Sequence, residues 1–210
     1  MNRLAADVYE GLDVSVEEVA HFENHHIGFC GVDMARVSQF LLTQLAAISK
    51  HRTYNSFSIT DVIQELEGVG RGCKQRADTF KHSPLKGFYK AHFFDARFLS
   101  RNLINYWGLE FEKSPKLASL MMRIDDEEKR QPTKLGWQGR LAHEMTIAAY
   151  DEISKRNKQT GEWIIFARHD DLNYFLCLSQ HTKTKEEDQS IYDFLKLLCE
   201  DEFPFLMPAV

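Results

Sequence analysis

The amino-acid sequence predicts an α+β fold, a predominantly helical single domain with a C-terminal β-hairpin packed on helices. Two observations carry this expectation. Helix caps followed by apolar residues at three- and four-residue spacing recur along most of the chain. Only residues 163–167 (Trp-Ile-Ile-Phe-Ala) and 174–178 (Tyr-Phe-Leu-Cys-Leu) read as β-favouring runs, with the turn-forming 169–173 between them. An isolated hairpin is marginal in water, so these strands need helices to cover them.

The elements follow in order. Ser15-Val16-Glu17-Glu18 is a capping box that opens a helix to about His26, stopped by Gly28 and Gly31. Asp33 reads as the N-cap of a second helix over 34–51, with Val37, Phe40, Leu41, Leu45 and Ile48 at helical spacing. Ser58 or Thr60 caps a third helix to about Glu67, ended by Gly68, Gly70 and Gly72. A short helical segment is expected over 74–80. Ser83-Pro84 then reads as N-cap and N1 of a helix over 84–107, closed by Gly108. The charge run at 125–130 and Pro132 suggest a linker at 124–134. Helices are expected over 137–156 and 187–199 on either side of the hairpin, and the apolar 203–207 stretch tucks into the core.

Residues 1–123 thus form a helical region, and 135–210 supply a helix, the hairpin and a C-terminal helix of the same domain. A chain of 210 residues with 43% hydrophobic content supports a normal core and argues against overall disorder. No run approaches the roughly 18 apolar residues of a membrane span. The first residues carry early acids and no apolar signal core, so a cytoplasmic protein is expected. Cys30, Cys73, Cys177 and Cys199 are far apart and form no CxxC pair, which suits buried free thiols.

Charge is distributed unevenly. Residues 1–70 hold four basic and ten acidic side chains, whereas residues 71–101 hold eight basic and two acidic. On a helix over 84–107, Lys86, Lys90, Arg97 and Arg101 fall on one stripe, with Phe93 and Phe94 beside it and Lys81 just before it. Like charges at such spacing repel, and either the protein's own acidic segments or an anionic partner offsets that cost. Phosphates of a nucleic acid, with aromatics stacking on single-stranded bases, are the leading expectation. His92 projects from the opposite, apolar side, as a core residue or as an acid or base in a cleft. On that helix, His82 at the entry, His92 inside and the cations outside cannot all belong to one site.

Arg76 and His82 are separated by five residues. This spacing resembles the arginine–histidine motif of the HEPN ribonuclease superfamily. The resemblance covers seven residues, has Ala77 where that family commonly has a polar residue, and implies an all-helical fold. It implies that Arg76 and His82 act on a scissile phosphate and a 2′-hydroxyl. Glu18-Val19-Ala20-His21 and Glu23-Asn24-His25-His26 both have Glu-x-x-His spacing, but they face different ways on one helix, so no metal site is assigned. The glycine-rich 68–74 lacks phosphate-loop spacing. His169 and His181 lie at opposite ends of the second hairpin strand and cannot act together from it.

The sequence therefore suggests an RNA- or other nucleic-acid-binding protein, in enzymatic form a ribonuclease-type toxin or RNA-processing factor. Arg76, His82 and His92 would carry the chemistry, Lys81, Lys86, Lys90, Arg97 and Arg101 would bind phosphates, and no cofactor is invoked. The alternative is a non-enzymatic module whose basic helix docks an acidic protein partner.

Overall fold

The structure is a computed structural model that describes residues 8–70, 77–95, 98–109, 114–155 and 162–206. The fold is α+β and mainly helical. In chain order the elements are α1 (Val16–His25), α2 (Gln39–His51), α3 (Ser56–Leu66), β1 (Ala77–Thr79), β2 (Tyr89–His92), α4 (Phe98–Trp107) and α5 (Pro115–Arg130). Then come α6 (Gly136–His143), a π-helical turn Glu144–Ala148, α7 (Ala149–Lys155), β3 (Trp163–His169), β4 (Leu172–Ser179) and α8 (Lys185–Cys199). The chain divides into two compact units, Met1–Phe94 with Gly161–Val210, and Asp95–Thr160. No helix among the described residues is long and apolar enough to cross a membrane.

The first unit is built on an antiparallel sheet of order β1-β2-β3-β4. Its centre, Ile164, Ile165 and Phe166 on β3 with Phe175 and Leu176 on β4, is completely buried. One core cluster joins Phe80, Phe88, Trp163, Ile165 and Cys177 to Leu195 and Cys199 of α8. The expected β3–β4 hairpin is present but tighter than the sequence suggests. Asp170 and Asp171 both have positive φ and form a two-residue turn, which suits the twist of adjoining strands.

Local capping explains most helix starts. Ser15 and Glu18 form the expected capping box on α1, and Thr184 with Glu187 forms a second one on α8. Asp33 caps only a 3₁₀ turn, Met34–Arg36; Ser38 then caps α2, and Asn55, not Ser58 or Thr60, caps α3. Gly28 lies so close to His26 and Thr60 that a Cβ there would collide with both.

Three expectations are corrected. The described part of the short helix expected over 74–80 is a strand, β1, paired with β2. Residues 84–107 are not one helix. Gly87, at φ 101°, sits in the loop that ends in β2, and the aromatic run from Phe88 pairs as a strand with β1 and β3. Ladder pairing and burial override the Ser-Pro start signal. The helix that remains, α4, starts at Phe98 and belongs to the second unit. The basic stripe therefore does not exist: Lys86 lies in the loop, Lys90 on β2 and Arg101 on α4, and Arg97 is outside the described residues. Nor is 124–134 a linker. Residues to Arg130 belong to α5, where Ile124 is fully buried with Trp107, Leu120 and Ala149. The charge run is the outer face of that helix, laced by Lys129–Asp125, Arg123–Glu127 and Arg140–Glu128 pairs.

A polar network fastens the far end of the β3–β4 hairpin. Arg36 pairs with Glu67 and donates to the Asn173 carbonyl at 3.0 Å, while Asn173 Nδ2 donates to Glu67 Oε1 at 3.0 Å and Arg168 Nε donates to Asn173 Oδ1 at 2.9 Å. The Arg36 and Glu67 side chains are both largely buried, and removing Glu67 leaves Arg36 only the exposed Asp33 carboxylate, at 3.3 Å, as an ion-pair partner. Glu67→Ala is expected to destabilise the first unit by about 1–3 kcal/mol, because Arg36 and Asn173 each lose a buried partner. A denaturant midpoint that does not move would show the network to be inconsequential.

Candidate active site

Strand alternation sets the site. Phe88, Lys90 and His92 lie on one face of the sheet, and Tyr89, Ala91 and Phe93 on the other. Tyr89 stacks on Phe166 and Phe93 meets Tyr54, whereas Phe88 meets Tyr192 of α8. On the α8 side, Lys90 Nζ lies 3.6 Å above the Trp163 ring and 4.7 Å from the Phe80 ring. The β2–β3 register sets His92 opposite Trp163, and β4 sets Ser179 opposite Trp163 from the other side. His181, two residues past Ser179, consequently reaches both: its ring centroid is 4.9 Å from that of His92 and 4.5 Å from that of Trp163.

Beside this cluster is a cavity of about 550 Å³ that includes Lys81, His82, Lys90 and Trp163, with Thr182 from the segment before α8 and Asp188 from its first turn. Thr182 donates to Asp188 Oδ1 at 2.6 Å and orients that carboxylate. Burial pushes the Lys90 amine below its usual pKa, against the pull of the Asp78 and Asp188 carboxylates. The aromatic faces of Trp163 and Phe80 replace part of its lost hydration. Trp163 itself is 5% exposed, and its indole N–H has no hydrogen-bond partner among the described residues. Such an unmet donor costs about 1–3 kcal/mol. The ring is held by what packs on it, Lys90 and His181, rather than by its own N–H.

The structure thus brings together Lys81, His82 and Lys90 in one cavity and sets His92 against its Trp163 wall. The separation expected for these residues on a helix is replaced by proximity on a hairpin. Lys86 is exposed in the β1–β2 loop, and Arg101 is exposed on α4 in the second unit. Arg76, like Arg97, is outside the described residues, so the arginine of the HEPN-like spacing has no described geometry. Phe93 is buried and available to no base. Sequence reasoning missed His181 as a partner of His92, because what joins them is the non-local pairing of both flanking strands with Trp163.

Other combinations are weaker. His26 Nε2 lies 2.9 Å from Ser56 Oγ, the contact of a serine–histidine dyad. However, His26 Nδ1 accepts the Gly28 N–H at 3.2 Å, so the neutral ring carries its proton on Nε2 and donates to the serine rather than activating it. His21 and His25 stack at 4.1 Å on α1, and among the described residues no group of three His, Cys, Asp or Glu side chains could hold a metal ion. Cys30 is exposed, contrary to expectation, while Cys177 and Cys199 are buried, with their thiols pushed up by burial, Cys199 to about 12.

Burial holds His26 below the ordinary histidine value of 6.5, so the native state favours the neutral ring. Its contribution to stability is complete above the unfolded value and is lost as pH falls through the lower native one. His26→Gln should therefore flatten the loss of stability between about pH 7 and pH 5 relative to the parent chain. Parallel denaturation curves for the two proteins across that range would contradict this. No protein-family model, no curated protein and no solved structure matches the chain.

Proposed function

We propose that this protein is an RNA-cleaving enzyme whose active site is His92, His181 and Lys90. The observation that carries the reading is the contact of the two histidine rings at 4.9 Å beside the cavity that holds Lys90. Cleavage of an RNA phosphodiester needs three things: a base for the 2′-hydroxyl, an acid for the departing 5′-oxygen, and positive charge for the phosphorane between them. Two histidines and a lysine supply all three. One neutral imidazole takes the 2′-hydroxyl proton as that oxygen bonds to phosphorus. The bond from phosphorus to the 5′-oxygen breaks, and the other, protonated imidazole gives its proton to that oxygen. The products are a 2′,3′-cyclic phosphate and a 5′-hydroxyl end.

Lys90 is suited to the electrostatic role because its amine is partly desolvated and held on the Trp163 face, where its field is less screened. Exposed Lys81, His82 and Lys86 along the β1–β2 loop extend the basic surface for flanking phosphates. His181 is exposed and His92 half-buried, so the pair borders solvent as a polymer substrate requires.

His92→Ala and His181→Ala should each lower cleavage of single-stranded RNA by about 10²–10⁴-fold, and Lys90→Ala by about 10²-fold or more. A chelator should leave the rate unchanged, and a fully 2′-deoxy strand should resist cleavage. Binding without cleavage by the parent chain, or histidine variants that cleave at its rate, would refute the enzymatic assignment and leave the hairpin a docking surface.

A further inference from the structure

We infer that the cavity beside the two histidines is a guanine-binding subsite, so that cleavage occurs next to guanosine; this rests on the ribonuclease reading above. The clue is the presence of carboxylates where a polyanion must dock. Asp78 and Asp188 share the cavity with Lys81, His82 and Lys90, and both carboxylates act on Lys90. The Lys90 ammonium offsets part of this charge, and the rest is best met on a polyanion by hydrogen-bond donors. The backbone of RNA offers only its 2′-hydroxyl, which the histidines engage. The remaining donors are on the bases.

Ionised carboxylates accept only, and they accept best from two adjacent donors. Guanine is the one standard base with two donors side by side, N1–H and the exocyclic N2 amino group. Adenine and cytosine each present an amino group next to a bare ring nitrogen, whose lone pair faces a carboxylate badly. Uracil presents one N–H between two carbonyls. Guanine also carries O6 and N7 as acceptors, and Lys81 and His82 line the same cavity.

Asp188 is the principal reader. It sits in the first turn of α8, and the Thr182 hydroxyl holds its Oδ1 at 2.6 Å, so the carboxylate is set before a ligand arrives. The cavity volume of about 550 Å³ lies inside the usual range for small-ligand sites of about 300–1,000 Å³. Phe80 and Trp163 give it an apolar wall, each almost fully buried and so unable to bind every base alike by open stacking.

The test uses an RNA that contains every dinucleotide step, with cleavage positions mapped for the parent chain and for Asp188→Asn. The parent chain should prefer guanosine-containing steps by about 100-fold. Asp188→Asn, which turns an acceptor into an amide with its own donors, should reduce that preference by about 10-fold or more. Sequence-blind cleavage by the parent chain would overturn the subsite and leave the nuclease standing. Should no RNA be cleaved, the nuclease reading fails, and calorimetry with the four nucleoside 3′-monophosphates decides the subsite separately. Selective binding of guanosine 3′-monophosphate, weakened by Asp188→Asn, supports it; equal or absent binding of the four refutes it.

Discussion

The site depends on the pairing of β2 with β3. Residues 89–92 meet residues 163–166 across a separation in sequence that contains the whole second unit. The register is set by burial. Ala91 and Ile164 face one another with no exposure, and Lys90 lies opposite the fully buried Ile165. A slip by one residue would turn every side chain of β2 to the other face. Lys90 and His92 would then point at the α2 side, and Ala91 and Phe93 at Trp163. The hydrophobic demand of the core therefore also aims the polar residues. Loop-closure cost grows only slowly with length, so a long excursion between paired strands is tolerable once the ladder and its two faces are buried.

Trp163 is the second element of the arrangement. It pairs with His92 on one side and Ser179 on the other, carries Lys90 on its ring, and touches His181. A tyrosine or phenylalanine would present a smaller face to a cation. The indole does so with a buried N–H that no described group satisfies, a cost set against the placement of three polar side chains. Lys90 is likewise held in tension: burial lowers the pKa of its amine, against the pull of the Asp78 and Asp188 carboxylates.

Much of the fold was legible where the signal is local. Ser15 with Glu18, the helical spacing of Leu41, Leu45 and Ile48, and the two β-favouring runs of the hairpin all report interactions made within a few residues. Misreadings arose where a local pattern fits two structures. Ser83-Pro84 is as good a loop as a helix start, and the aromatic residues from Phe88 to Phe94 have apolar content without a decisive period. Strands of three and four residues carry too few positions to show alternation, and their stability comes from partners far along the chain. The run at 125–130 looks like a linker because its charges face water, while the residues that seat its helix in a core, Leu120 and Ile124, lie just before it. The spacing to Arg76 singles out His82, and a helical stripe that does not form singles out Lys90 and Lys81; the meeting of His92 with His181 was not legible, because that distance is set by the β2–β3–β4 ladder.

Two histidine contacts in this chain show why proximity alone does not make a site. His26 and Ser56 are within hydrogen-bond distance, yet the Gly28 amide fixes the ring in the tautomer that cannot accept the serine proton, and stacking on Phe57 packs the ring into the α1–α3 junction. Its geometry is finished: the ring caps a turn and braces the start of a helix. His92 and His181 differ in setting. They come from the end of β2 and from just past β4, both against Trp163; one of them is exposed, and the cavity that Trp163 helps to line holds Lys90, His82 and the oriented Asp188 carboxylate. The first histidine has been assigned to folding by its surroundings. The second pair stands where proton transfer has both a route to solvent and charge nearby to act on, and that difference in setting is what separates a brace from a candidate catalyst.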